Sequence, residues 1–166
     1  MADIETLIDA WDEAHREFAI ALEGLDDKDL WVRPHPRLLS IGELAAHIAY
    51  WEGVKSSGLG PKADLEKLDI KSPLIDQVAR YYTTNIGEPM QSMLGTKEVL
   101  AEVKRIHEHW KAAVAQLNPD GDDPVAGFPA PWTWGAILQY AAFHVAYHTG
   151  QAYSVRHIFG HQTEDN

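Results

Sequence analysis

His144 and His148 stand four residues apart within a run, residues 133–159, whose apolar positions recur at helical spacing. Positions i and i+4 of an α-helix share a face, so both imidazoles project to the same side. Such a pair chelates a divalent metal but leaves it short of ligands. His47 offers a third: it falls in another helical stretch, residues 40–57, between Leu44 and Trp51 on the side expected to face inward. An imidazole buried among apolar side chains loses water at both ring nitrogens, and three at one depth are costly unless a shared partner takes their lone pairs. A divalent cation does this and favours the neutral ring. Gln151 lies one turn beyond His148 on the same stripe. There it either hydrogen-bonds a bound water or substrate, or ties its helix to a neighbour as a buried amide.

The remaining histidines read otherwise. His107 and His109 flank the apolar stripe of a further helix at its solvated edges, and His15 and His35 read as surface residues. His157 and His161 fall toward a helix C-terminus, where a cation suits the dipole. In the H-E-x-x-H metalloprotease motif a glutamate follows the first histidine as general base; here Val145 holds that place. No G-x-S-x-G elbow, phosphate loop or dinucleotide glycine fingerprint is present. With no cysteine in the chain, a metal must be held by nitrogen and oxygen, and imidazole suits zinc, nickel, iron and copper alike.

Four long elements must position these side chains. Ile4, Leu7, Trp11, Ala14, Phe18 and Leu22 step by three and four, which predicts an amphipathic helix over residues 3–25, followed by an acidic turn at Asp26, Asp27 and Asp29. Ser40-Ile41-Gly42-Glu43 is a capping-box pattern that opens the second helix; it accounts for Glu43 better than a role in orienting His47 does. Gly58, Gly60 and Pro61 end that helix. A third helix over residues 97–117, capped by Thr96, carries Leu100, Val103, Ile106, Trp110, Val114 and Leu117 as its stripe. A Pro- and Gly-rich loop over residues 119–131 leads to Thr133, which caps the fourth. Residues 58–95 form a long connection with one short helix expected over 74–82 and read as a lid, with Tyr81, Tyr82, Met90 or Met93 on a pocket wall, or else as a surface loop pinned by those side chains. The pattern predicts an all-α four-helix bundle with a long connection between helices two and three.

Composition bounds the partners. The 166 residues are 45% hydrophobic with six tryptophans, which suffices for one core, and residues 1–166 read as a single domain. A net charge of −11 opposes binding to a phosphate backbone, so no nucleic-acid partner is expected. No apolar run approaches the roughly 20 residues of a membrane span, and the N-terminus lacks the features of a signal peptide. The chain reads as soluble and cytoplasmic, with no membrane partner.

The run from Ser40 through His47 to Glu52, followed about a hundred residues later by His144-Val145-Ala146-Tyr147-His148-Thr149-Gly150-Gln151, resembles the DinB/YfiT-like superfamily. The likeness extends from the first helix to Gly160. It implies a four-helix bundle, often homodimeric, that holds a divalent metal, commonly nickel or zinc, at the places matched here by His47, His144 and His148. Some branches carry a glutamate where this chain has His144. Characterised branches bind a low-molecular-weight thiol and transfer it, or isomerise a substrate through its adduct. The resemblance therefore implies a metal-dependent thiol transferase or a related hydrolase acting on a small molecule. The rival expectation is a non-catalytic metal-binding stress-response or interaction module. Trp31, Trp132 and Trp134 lie in or beside loops, where they either form a contact surface for a two-fold dimer or cover the mouth of the metal pocket.

Overall fold

A computed structural model describes residues 3–57, 64–81, 87–90, 92–128 and 132–161. They form five helices and no strand; one isolated antiparallel bridge joins Pro124 and Thr133. The architecture is the expected all-α bundle. Helix α1, Ile4–Leu22, is capped by Asp3, whose carboxylate accepts from the Thr6 amide at 2.7 Å. It buries Trp11, Ala14, Phe18 and Leu22 of the expected stripe. It stops short of residue 25 because Gly24 turns the chain at φ 71°. The acidic turn that follows is a one-turn helix, α2, Asp27–Leu30.

Helix α3, Ile41–Ser56, forms the predicted capping box: the Ser40 hydroxyl accepts from the Glu43 amide at 3.2 Å, and the Glu43 carboxylate accepts from the Ser40 amide at 2.8 Å. Every residue from Ile41 to Lys55 is buried. A helix enclosed all round has no single inward stripe, so the position of His47 is set by which neighbour each face meets. The Gly58, Gly60 and Pro61 stop signals lie outside the described residues.

Within the long connection, the helix expected over 74–82 is instead a 3-10 turn, Gln77–Arg80. Asp76 captures the Val78 amide at 2.8 Å, and Tyr81 leaves the turn in the left-handed region at φ 39°, which breaks any continuation. Tyr81 lines the cavity, as the lid reading requires; Met90 is buried but not on the cavity wall, and Met93 is 99% exposed and forms no wall; Tyr82 is outside the described residues.

Helix α4, Thr96–Leu117, begins one residue earlier than expected, with Gly95 rather than Thr96 as its cap. Glycine offers no capping oxygen, and Asp27 of α2 supplies one by accepting from the Thr96 amide at 2.7 Å. A Cβ at position 95 would stand 2.7 Å from that carboxylate, so the exchange requires glycine. Helix α5, Trp134–Ile158, is capped by Thr133 as predicted. α1 packs mainly along α5 and also touches α4, while α3 lies against both α4 and α5. No described helix is long and apolar enough to cross a membrane.

Candidate metal centre

Helices α3 and α5 bring His47, His144 and His148 together. One ring nitrogen from each lies within 4.8 Å of the other two. Ring centroids are 5.1 Å apart for His47 and His144, 4.7 Å for His47 and His148, and 4.6 Å for His144 and His148. All three side chains are buried. Two have their other nitrogen occupied: His47 Nδ1 is 2.8 Å from the Ala79 carbonyl oxygen, and His148 Nδ1 is 2.6 Å from Gln151 Oε1. Each acceptor takes the Nδ1 proton, which fixes the tautomer and leaves Nε2 bare. His148 Nε2 then stands 3.2 Å from His144 Nε2. Two lone pairs so close repel unless a proton or a cation sits between them, and about 3.3 Å is the edge of a tetrahedral site with metal–nitrogen bonds of 2.0–2.1 Å. The donor set fits a divalent metal.

Electrostatics favour neutral rings here. Burial pushes the pKa of His47 down to about 4, and the nearby His148 adds to this. Burial, then the Lys55 ammonium, depress His144 furthest of the three; burial also lowers His148. Gln151 is half-buried at the edge of the cluster, with its amide nitrogen donating to the Tyr147 hydroxyl at 3.3 Å. It orients His148 along the helix rather than bridging to another one.

The imidazoles open into a cavity of about 400 Å³ walled by aromatic side chains, among them Trp51, Tyr81, Phe128, Trp132 and Tyr140. Trp132 is positioned by the bridge at Thr133, where its carbonyl accepts from the Val125 amide at 3.1 Å. It takes the pocket-wall role, and Trp31 and Trp134 are half-buried rather than exposed. Trp31 instead lies flat on α3 beside Gly42 and donates to the Leu94 carbonyl at 2.8 Å. Among the described residues the exposed aromatics are Tyr140, Phe143 and Tyr147 on α5, at the cavity mouth.

Sequence reasoning passed over Lys55. It follows Trp51 by four residues and His47 by eight, a helical spacing that marked it for the same face. Its side chain is 7% exposed and lines the cavity, with Nζ 4.9 Å from the Tyr140 ring centroid and 5.4 Å from that of Trp110. Tyr140 in turn stacks on His144 at 5.8 Å. Burial pulls the lysine pKa down to about 8.

Glu43 serves the site at one remove. Fully buried, it accepts a two-pronged contact from Arg33 at 2.6 and 2.8 Å, the Met90 amide at 2.9 Å and the Tyr81 hydroxyl at 3.1 Å, in addition to its cap. It thereby pins the long connection over the cavity and makes no bond to His47.

A second cluster corrects two expectations. His15, read as a surface residue, lies 2.8 Å from Glu52 Oε1, and His107, read as solvated, is 3% exposed and 2.6 Å from Asp12. Trp11 also donates to Glu52 Oε1 at 2.8 Å. One atom each of His15, Glu52 and His107 also lies close enough to the others to hold a cation. The imidazoles of His15 and His107 are stacked, however, at 3.9 Å and 27°, which aims their in-plane lone pairs side by side rather than at one point. A buried carboxylate shared among ring N–H groups describes this cluster better. Elsewhere, His161 pairs with Asp29 at 2.9 Å, His109 lies 3.3 Å from Asp69, and His157 is exposed.

The family model described as the DinB superfamily matches residues 10–152, most of the chain and all three histidines of the α3–α5 cluster. No curated protein and no solved structure matches the chain significantly.

Proposed function

The chain belongs to the DinB superfamily, and from that premise we propose that it is a divalent-metal-dependent enzyme, a thiol transferase or a related hydrolase, with His47, His144 and His148 as its metal ligands. The observation that carries this reading is the convergence of three buried imidazoles, two with Nδ1 already engaged, at the floor of an open aromatic cavity. A metal that merely reinforced the bundle would have no need of an adjoining space of about 400 Å³.

Three neutral ligands leave a divalent metal its full charge and an open position, and zinc or nickel would there lower the pKa of a thiol or a water. The chain's own residues supply the rest. Ala79 and Gln151 hold the rings in the tautomer that ligates, and the aromatic walls exclude water and take an apolar substrate body. Within this reading the substrate is a small molecule, a low-molecular-weight thiol serves as cosubstrate, and the protein acts as a homodimer. The exposed aromatics at the cavity mouth give a second copy an apolar face to meet.

The test compares metal-loaded and metal-stripped protein for turnover of a panel of thiols and electrophiles, with elemental analysis of untagged protein to identify the metal. Turnover that needs the metal and vanishes in His144→Ala is the expected result. Metal-dependent stability without turnover would replace the enzyme by the non-catalytic module. Light scattering over a concentration series tests the dimer, and a monomer throughout would remove it.

A further inference from the structure

Lys55 is a buried cation whose nearby counter-charge, the Glu52 carboxylate, acts on it only through space and offsets part of the cost of burial. Among the described residues its ammonium donates no hydrogen bond and has no carboxylate within 4.0 Å; its recorded neighbours are the faces of Tyr140 and Trp110. Glu52, one turn earlier on α3, spends its Oε1 on Trp11 and His15, and its buried Oε2 makes no bond to the lysine. Burying an ammonium on aromatic faces alone recovers part of its hydration, and a charge held this way in a cavity wall is poised for an anion. Lysine is the only cationic side chain among the described residues lining that cavity.

We infer that Lys55 forms a carboxylate subsite beside the three imidazoles, so that the substrate of this pocket is a monoanionic carboxylic acid with an aromatic or otherwise apolar body. Two features choose the class. A single ammonium with no arginine or cluster of backbone amides beside it among the described residues neutralises one charge, which suits a carboxylate better than a phosphate. The surrounding wall of Trp51, Phe128, Trp132 and Tyr140 takes an apolar body rather than a sugar or a peptide backbone. Tyr140 contacts both Lys55 and His144, so a carboxylate on the lysine would hold the rest of the molecule over the imidazoles. At pH 7 the lysine is still protonated despite its lowered pKa of about 8.

This inference rests on the pocket being a substrate site, and its test is separable from the metal chemistry. Benzoate and benzamide have the same shape and differ in charge. Calorimetric or NMR titration of both into the full chain at pH 7, metal-stripped and metal-loaded, should show benzoate binding about tenfold or more tightly in both forms. Lys55→Met, which keeps the length and packing, should bring benzoate down to the benzamide level in both metal states. Equal binding of the two probes by the wild type, or a preference that survives in Lys55→Met, overturns the subsite. A preference seen only in metal-loaded protein also overturns it, by placing the carboxylate on the metal, while leaving the proposed metal centre standing. Should Lys55→Met fail to fold, the wild-type comparison in the two metal states still decides.

Discussion

At the residue scale the distinction that matters is between imidazoles whose second nitrogen is engaged so as to leave the first bare and those already spent on a carboxylate. His47 and His148 belong to the first kind, through Ala79 and Gln151, whereas His107 bonds Asp12 and His15 bonds Glu52. Replacing any of His47, His144 or His148 by alanine is therefore expected to weaken metal binding by more than about 100-fold. Gln151→Leu, which frees the His148 ring without removing it, should cost about 10–100-fold. The exposed His157 is the proper control, and His157→Ala should leave affinity within about twofold of wild type. Competition titration with a chromophoric chelator measures all five variants. Equal losses at all five, or none, would sink the ligand assignment. His107 cannot serve as a neutral control, because its burial beside Glu52 makes its removal a stability change.

At the element scale, one carboxylate holds together pieces far apart in sequence. Glu43 caps α3 and simultaneously receives Arg33, Tyr81 and Met90. The Arg33 side chain is 8% exposed, so Glu43→Ala removes the carboxylate from a mostly buried guanidinium, which keeps only its bonds to neutral groups such as the Gly87 and Glu88 carbonyls. Loss of a buried partner of this kind costs about 3–5 kcal/mol, well above the roughly 1 kcal/mol of a lost cap. Chemical denaturation should show the larger figure, with the cavity mouth loosened, since the segment carrying Tyr81 is anchored there. A loss near 1 kcal/mol would mean that the cap alone counts. Gly42 makes a companion case: a Cβ there would stand 2.6 Å from the Trp31 ring, so Gly42→Ala should destabilise by about 1–3 kcal/mol through displacement of that ring, despite the better helix propensity of alanine.

At the scale of the whole molecule, the buried titratable groups set how metal-free protein responds to acid. His47 is lowered to about 4 by burial, and His107, His144 and His148 are lowered as well. Above about pH 6.5 these rings are neutral in both the folded and the unfolded chain and contribute nothing to the difference. Below it the unfolded chain takes up protons that the folded chain resists, so stability falls as pH drops toward 4. His47 alone accounts for about 3 kcal/mol of that fall. Glu43 and Glu52, whose pKa values lie below the ordinary carboxylate range, hold their contribution until lower pH and then lose it in the same direction. Urea melts of metal-stripped protein at pH 7.5, 6, 5 and 4 should show a progressive loss beginning near 6.5. A flat profile between pH 7 and 5 would contradict the burial of neutral rings.

The four long helices, the caps at Ser40 and Thr133, and the pairing of His144 with His148 are legible in the sequence, because each is a matter of spacing within one element. The sequence also singled out His47, since an imidazole among Leu44, Trp51 and Val54 interrupts an otherwise apolar stripe. Periodicity is blind to what a fully enclosed helix meets on each side. α3 is buried along nearly its whole length, so only its neighbours decided that His47 faces α5 while Glu52 faces α1. The same blindness hid Lys55, whose charge made a solvated reading natural until Tyr140 and Trp110 were seen to enclose it. It also hid the buried roles of His15 and His107, which depend on a carboxylate 37 and 95 residues away respectively. The cap of α4 is the clearest case: Thr96 has the right chemistry in sequence, but Asp27 arrives from another helix and takes the exposed amide first. Local rules fix which groups need partners, and only the packing of distant elements decides which partner comes within reach.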